Sequence, residues 1–215
     1  MPNEITLAQL SDSHLFADKS GQHHQANVYQ NLKRVLLSIK QQPSVDAIVF
    51  TGDLTQDHTE ASYLLFTDAF DDLKINIPVY FVAGNHDEPA LSKAPFCQSS
   101  VIENDYWQVL LLASKSDTPA GVITADECNK VGSLINAAKS QLLLTHHHAA
   151  DAGFFIDRHG LLNKEEFYLW LTKFPSIKAL GCGHIHQALI LPIALADRTI
   201  NLYTCPATSI QFDIN

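Results

Sequence analysis

The stretch AIVFTGDLTQD, residues 47–57, decides the fold. Four apolar residues, Ala47 to Phe50, stop abruptly at Thr51-Gly52-Asp53, so a buried strand gives way to a turn that carries a carboxylate. The same change recurs along the chain. LAQL (7–10) runs into Ser11-Asp12-Ser13-His14, and VYFVA (79–83) into Gly84-Asn85-His86-Asp87. LLLT (142–145) runs into His146-His147-His148, and KALGC (178–182) into Gly183-His184-Ile185-His186. Further short apolar runs are Val109–Leu112, Leu189–Ile193 and Thr199–Thr204. Between the runs, Val28–Lys40, Glu60–Leu73, Asp126–Lys139 and Lys164–Phe174 carry apolar residues three and four apart, which predicts helices. Asn163, followed three residues later by Glu166, predicts a capped start for the last of them.

Strand, helix, strand in the first half implies right-handed crossovers and a largely parallel sheet. Strands lie closer together near Trp107–Ala113 and from Ala188 onward, which predicts antiparallel pairing. The expected class is therefore α/β, with a mixed sheet or two stacked sheets, in one domain over 1–215. Repeats and low-complexity linkers are absent from the sequence.

Composition excludes several functions. The chain has 215 residues, of which 46% are apolar, and no run approaches the roughly 20 apolar residues of a membrane helix. The N-terminus lacks a basic region followed by an apolar core, so a cytoplasmic protein is expected. Fourteen basic against 23 acidic residues give a net charge of −9, which argues against a broad nucleic-acid footprint. A small phosphate substrate stays open, because bound cations reverse the local potential. Cys97, Cys128, Cys182 and Cys205 form no Cys-x-x-Cys pair and read as reduced, mostly buried residues. The unusual count is 11 histidines, seven of them in four small clusters at those strand ends.

In open α/β sheets, ligands bind beyond the carboxyl ends of the strands. Asp, Asn and His side chains converging there without a cation would be costly to bury. The set lacks thiolates, and mixed imidazole and oxygen ligands suit Mn, Fe, Zn or Co. The candidates, Asp12, His14, Asp53, Asn85, His147, His184 and His186, are too many for one ion and suit two, which would share a carboxylate. Gly52, Gly84 and Gly183 stand where tight turns favour a residue without Cβ. Gly-His-Ile-His would put both imidazoles on one face of an extended segment.

Each motif alone has a duller explanation: a surface Asp-x-His, a helix-capping Gly-Asp, a solvated row of histidines. Five such motifs at one structural position do not share that explanation. His23, His24, His58 and His159 lie outside the clusters and read as loop or helix-surface residues. Asp57 and Asp87 read as orienting groups for imidazoles or loops, with a helix cap as the alternative for Asp57.

The ordered set SDSHLF, TGDLTQD, GNHD, LLLTHHH and CGHIHQ resembles the calcineurin-like metallophosphoesterase superfamily, and within it the bacterial class III 3′,5′-cyclic-AMP phosphodiesterases. The resemblance spans about Thr6 to Phe212. It implies a four-layer αββα sandwich and a binuclear centre, Fe or Mn first, with Zn or Co as alternatives. It further implies Asp12, His14 and His186 on one metal, Asn85, His147 and His184 on the other, and Asp53 bridging. His86 would act beside the phosphate and leaving oxygen, with His14 and Asn85 also close to substrate. The family's ligand stands two residues before a proline; Ala149 holds that position here, which selects His147 and leaves His146 as the alternative. Relatives continue past the segment matching Cys205–Phe212, so an uncovered sheet edge, and with it a homodimer, is a further expectation.

The implied activity is hydrolysis of a phosphodiester, 3′,5′-cyclic AMP or a related cyclic nucleotide, by a metal-bridging hydroxide, with Asp53 and His86 as catalytic residues. The alternatives are another phosphoesterase of the superfamily (a glycerophosphodiesterase, nucleotide pyrophosphatase or phosphomonoesterase) or a non-catalytic metal-binding scaffold. Gly-x-Ser-x-Gly, Gly-x-x-x-x-Gly-Lys and Gly-x-Gly-x-x-Gly are all absent from the sequence, which removes serine hydrolase, P-loop and Rossmann readings.

Overall fold

The structure, a computed structural model, describes residues 3–42, 44–92 and 94–213. Three short parallel strands form one sheet in the order β1 (Leu7–Leu10), β4 (Ala47–Phe50), β5 (Val79–Phe81). Between the first two lie a small hairpin, β2 (Gln22–His23) with β3 (Ala26–Asn27), and helix α1 (Val28–Lys40). Helix α2 (Glu60–Leu73) joins β4 to β5.

The second sheet has six strands: β6 (Val101–Glu103), β7 (Trp107–Leu111), β8 (Ser140–Thr145), β9 (Ile177–Cys182), β10 (Ile190–Ala194) and β11 (Thr199–Thr204). Their spatial order is β10-β11-β9-β8-β7-β6. Helix α3 (Ala125–Leu134) joins β7 to β8, and α4 (Lys164–Leu171) joins β8 to β9. The inner strands pair in parallel; β6–β7 and β10–β11 are antiparallel, as the close strand spacing predicts.

Side-chain alternation builds the layers. In β4, Ile48 and Phe50 face the helices α1 and α2, while Val49 faces the other sheet. In β7, Val109 and Leu111 meet Val49, and Leu110 joins the opposite core with Phe167, Trp170 and Leu171 of α4. A period of two along each strand thus feeds two cores at once. Strands buried on both faces read as continuous apolar runs for that reason. The result is the expected four-layer αββα sandwich.

Helix starts follow local chemistry. Asn27 caps α1 by accepting from the Gln30 N–H at 2.9 Å, and Thr59 and Thr124 cap α2 and α3 in the same way. Asn163 differs from expectation. Its side chain does not cap α4 but pairs with the Ile123 backbone, accepting from N–H at 3.1 Å and donating to C=O at 2.8 Å. Helix α3 ends at Leu134, short of the predicted Lys139. The next residues turn away, and the Asn136 N–H donates to Gln108 Oε1 at 2.7 Å. Among the described residues, no helix is long and apolar enough to cross a membrane.

Candidate metal centre

Loops after β1, β4 and β5 of the small sheet meet loops after β8 and β9 of the large one. Hydrogen bonds stitch the two sheets together at this rim. The His184 N–H donates to Asp12 Oδ2 at 3.0 Å, the Thr208 N–H to the Ser11 carbonyl at 2.9 Å, and Gln9 Nε2 to the Cys182 carbonyl at 3.1 Å.

The ligand loops adopt costly backbone. Asp12, His14, Asp53, His184 and His186 all have positive φ, between 45° and 66°. For a residue with a Cβ this costs about 1–2 kcal/mol each, and such strain persists where surrounding contacts over-determine it. Here the Asp12 and His14 N–H groups donate to the Gly52 and Asp53 carbonyls at 2.9 and 3.0 Å. His184 and His186 therefore do not share one face of an extended segment. With Ile185 buried between them, they turn into different halves of the site.

One half gathers Asp12, His14 and His186. The Nε2 atoms of His14 and His186 are 3.2 Å apart, and His186 Nε2 is 3.3 Å from Asp12 Oδ1. His186 Nδ1 lies 2.8 Å from the Ile210 carbonyl, which accepts its proton, so Nε2 keeps its lone pair for this cluster. Phe212 stacks on the same ring, centroids 3.9 Å apart.

The other half gathers His146, His184 and Asn85. His146 Nε2 lies 3.2 Å from His184 Nδ1 and 3.2 Å from Asn85 Oδ1; its Nδ1 faces the Thr51 carbonyl at 2.6 Å. Asp53 stands between the halves, with Oδ1 3.4 Å from His146 Nε2 and Oδ2 3.8 Å from His14 Nε2. Each carboxylate oxygen faces its own cluster.

His147 is buried beside the second half and close enough to His146 and His184 to share an ion with them. Its ring nitrogens, however, already face the Ser114 hydroxyl at 2.8 Å and the Pro119 carbonyl at 3.2 Å. His146 directs its second nitrogen at Asp53, Asn85 and His184.

His86 sits at the rim. Its N–H donates to Asp53 Oδ1 at 2.9 Å, and its ring stands edge-on to His14 at 5.0 Å. Beside Asn85 and His86 opens a cleft of about 480 Å³, walled also by His58, Lys115 and Pro119. Lys115 Nζ donates to the Asn85 carbonyl at 3.1 Å, and His58 stacks on His86 at 5.8 Å. Sequence reasoning missed Lys115, which belongs to no motif, and set His58 and His23 aside as surface residues.

Asp87 holds the Asp53 turn. Its carboxylate accepts the N–H groups of Asp53, Gly84 and Leu54 at 2.7, 2.8 and 2.9 Å, and the Tyr63 hydroxyl at 3.2 Å. Burial, then the charge of Asp53, push its carboxyl up to about 7 against those donors. Asp57 ties loops instead of capping, taking the Ala17 N–H at 2.6 Å and the Thr59 hydroxyl at 2.8 Å. Gly52 adopts φ +94°, and a Cβ at Gly84 would overlap the Asp53 carboxylate, so the turns exclude side chains for two distinct reasons.

The electrostatics call for cations. Burial would raise the Asp53 carboxyl, yet His146 and His14 hold it well below the usual range; Asp12 is likewise brought down by His186. Burial pushes His14 down to about 4 and His184 well below its ordinary value. His146 alone of these is raised, to about 9, because Asp53 and Asp12 outweigh its burial. The carboxylates of Asp12 and Asp53, the Asn85 amide oxygen, the Nε2 atoms of His14, His146 and His186 and the Nδ1 of His184 converge into a donor set that fits two divalent ions.

The comparisons agree. The family model for calcineurin-like phosphoesterases matches residues 5–188. A probable cyclic nucleotide phosphodiesterase of Colwellia psychrerythraea is 49% identical over 97% of this chain and 82% of its own length. The 3′,5′-cyclic adenosine monophosphate phosphodiesterase of Escherichia coli K12 is 34% identical, over 97% and 78% respectively. A dimetal phosphatase from Danio rerio shares the fold at a TM-score of 0.70 with 11% identity, over 95% of this chain and 88% of that one. With the strand-end ligands gathered at one rim and the family match spanning most of the sequence, the chain belongs to the calcineurin-like phosphoesterases.

Proposed function

We propose that the chain, working as one domain in the cytoplasm, is a two-metal phosphodiesterase acting on 3′,5′-cyclic AMP or a closely related cyclic nucleotide. The observation that carries this reading is the Asp53 carboxylate, whose two oxygens face two separate ligand clusters. One ion would be held by Asp12, His14 and His186, the other by Asn85, His184 and His146, with Asp53 shared. His146 takes the place expected of His147 because the nitrogens of His147 face Ser114 and the Pro119 carbonyl. This mixture of imidazole and oxygen donors suits Mn, Fe, Zn or Co, and the family resemblance puts Fe and Mn first.

When bound, two such ions supply a water acidified towards neutrality and positive charge against the phosphoryl oxygens. The residues do the rest. Asp12 and Asp53, held ionised, fix the ions, while the Thr51 and Ile210 carbonyls aim the rings of His146 and His186. His86, anchored through its backbone N–H to Asp53, would donate a proton to the leaving oxygen or stabilise its charge. The cleft beside Asn85 and His86 gives the nucleoside a place, with Lys115 on its wall. The named relatives support the cyclic nucleotide as substrate.

The test is hydrolysis by the Mn²⁺-loaded protein of bis(p-nitrophenyl) phosphate, then of cyclic AMP, cyclic GMP, linear diesters and monoesters, with metal analysis on the same sample. Two ions per chain and a preference for cyclic diesters are expected. A preference for monoesters would overturn the substrate, and fewer than two ions the bridging scheme.

A further inference from the structure

The hairpin β2–β3 has no part in the metal centre, yet it ends against it. Its two turn residues, His24 and Gln25, have φ of 45° and 68°. Positive φ at both central residues of a two-residue loop is the turn geometry that favours Asn-Gly. Neither residue here is glycine, so the hairpin is held in a disfavoured shape. It is held from behind. Asn27, the last hairpin residue, caps α1 and donates from Nδ2 to the Lys19 carbonyl at 2.9 Å, and Val28, Tyr29 and Leu32 of α1 are sunk in the core.

What the hairpin presents to the site is His23. Its ring centroid lies 5.1 Å from that of His14, tilted by 43°. His23 Nδ1 is buried and makes no hydrogen bond. Among the described residues, His23 joins none of the groups whose donor atoms converge tightly enough for an ion. His14 is thus flanked by two further imidazoles: His86 at 5.0 Å, whose donor atom converges with those of His14 and Asp53, and His23 at 5.1 Å, whose donor atom does not. A ring with an idle nitrogen, beside a metal ligand but not itself one, suits an anion bound at the metals better than the metals themselves.

We propose that His23 is a substrate-binding residue that donates an imidazole N–H to a non-bridging oxygen of the bound phosphodiester. The inference rests on the two-metal reading above. It assigns His23 and His86 separate tasks: the first grips the phosphoryl group, the second attends the leaving oxygen.

Two variants of the full chain, loaded with Mn²⁺, test it. His23→Phe keeps ring packing against His14 and removes the donor; His23→Gln keeps an N–H. Metal content, kinetics on bis(p-nitrophenyl) phosphate and calorimetric titration with inorganic phosphate are measured for each. For His23→Phe, KM and the phosphate dissociation constant should rise about tenfold, as loss of one hydrogen bond to a charged group implies. Both metals should stay bound and kcat should change little, and His23→Gln should recover most of the affinity. Unchanged phosphate affinity in His23→Phe, or loss of a metal ion, would overturn the role. A wild-type protein that holds two ions but neither turns over the diester nor binds phosphate would instead overturn the reading beneath it.

Discussion

Replacing Asp53 by Asn tests the bridge with almost no change of shape. The amide fills the same space, and an Asn oxygen can still accept the His86 N–H that Asp53 Oδ1 now takes at 2.9 Å. What disappears is one negative charge facing His146 Nε2 at 3.4 Å and His14 Nε2 at 3.8 Å, one contact in each cluster. Loss of a group that merely orients a ligand weakens metal binding about 10–100-fold. A ligand lost from both ions should cost at least that at each, or about 10²–10⁴ combined, roughly 3–5 kcal/mol. The variant, equilibrated with Mn²⁺ and dialysed, should carry well under two ions per chain by plasma emission analysis. Turnover of a diester should fall at least as far. Retention of two ions at wild-type affinity would refute the bridging argument.

His86→Ala should keep both ions and lose about 10²–10⁴ in kcat, the usual span for a general acid; unchanged turnover in a steady-state assay would remove His86 from the chemistry. His146→Ala should empty the site built with Asn85 and His184, while His147→Ala should retain its metal; the reverse pattern in metal analysis would restore His147 as ligand. Chelator-treated protein should be most heat-stable near pH 6.5. His14 and His148, both lowered to about 4 chiefly by burial, take up protons in the unfolded chain first, so stability present above 6.5 is lost as pH falls through 4. Each contributes about 1.4 kcal/mol per pH unit, about 3 kcal/mol apiece. His146, raised to about 9, acts the other way, its contribution being complete below 6.5 and lost as pH climbs through 9. A Tm that rises between pH 6.5 and 4.5 would contradict this balance.

Much of this was readable from the chain because the strongest signals are local. The helices Val28–Lys40 and Glu60–Leu73 match their predicted bounds, since apolar spacing and the residues Asn27 and Thr59 mark them. The strand ends that carry Asp12, Asp53, Asn85 and His184 are legible because a buried strand must stop where a charged or hydrogen-bonding side chain is needed. Other features depend on distant residues. Strand β6 has three residues and exists by pairing with β7. Asn163 looked like a cap, but Ile123, forty positions away, claimed its side chain. The proposal of His146 over His147 rests on the Thr51 carbonyl and the Ser114 hydroxyl, which no spacing rule within the triplet encodes. His23 reads as a loop residue in the sequence because its polar hairpin lacks the Asn-Gly that marks such turns.

Each ligand cluster draws on both sheets: Asp12 and His14 with His186 in one, Asn85 with His146 and His184 in the other. An ion seated in either would rivet the two halves of the sandwich at one rim. Ligands that bind only the native state add to its stability, about 2.7 kcal/mol per ion at a hundred times the dissociation constant. Metal supply would then set more than reaction rate. It would govern how firmly the halves stay clamped where the reaction occurs, and a starved enzyme would loosen first along that seam.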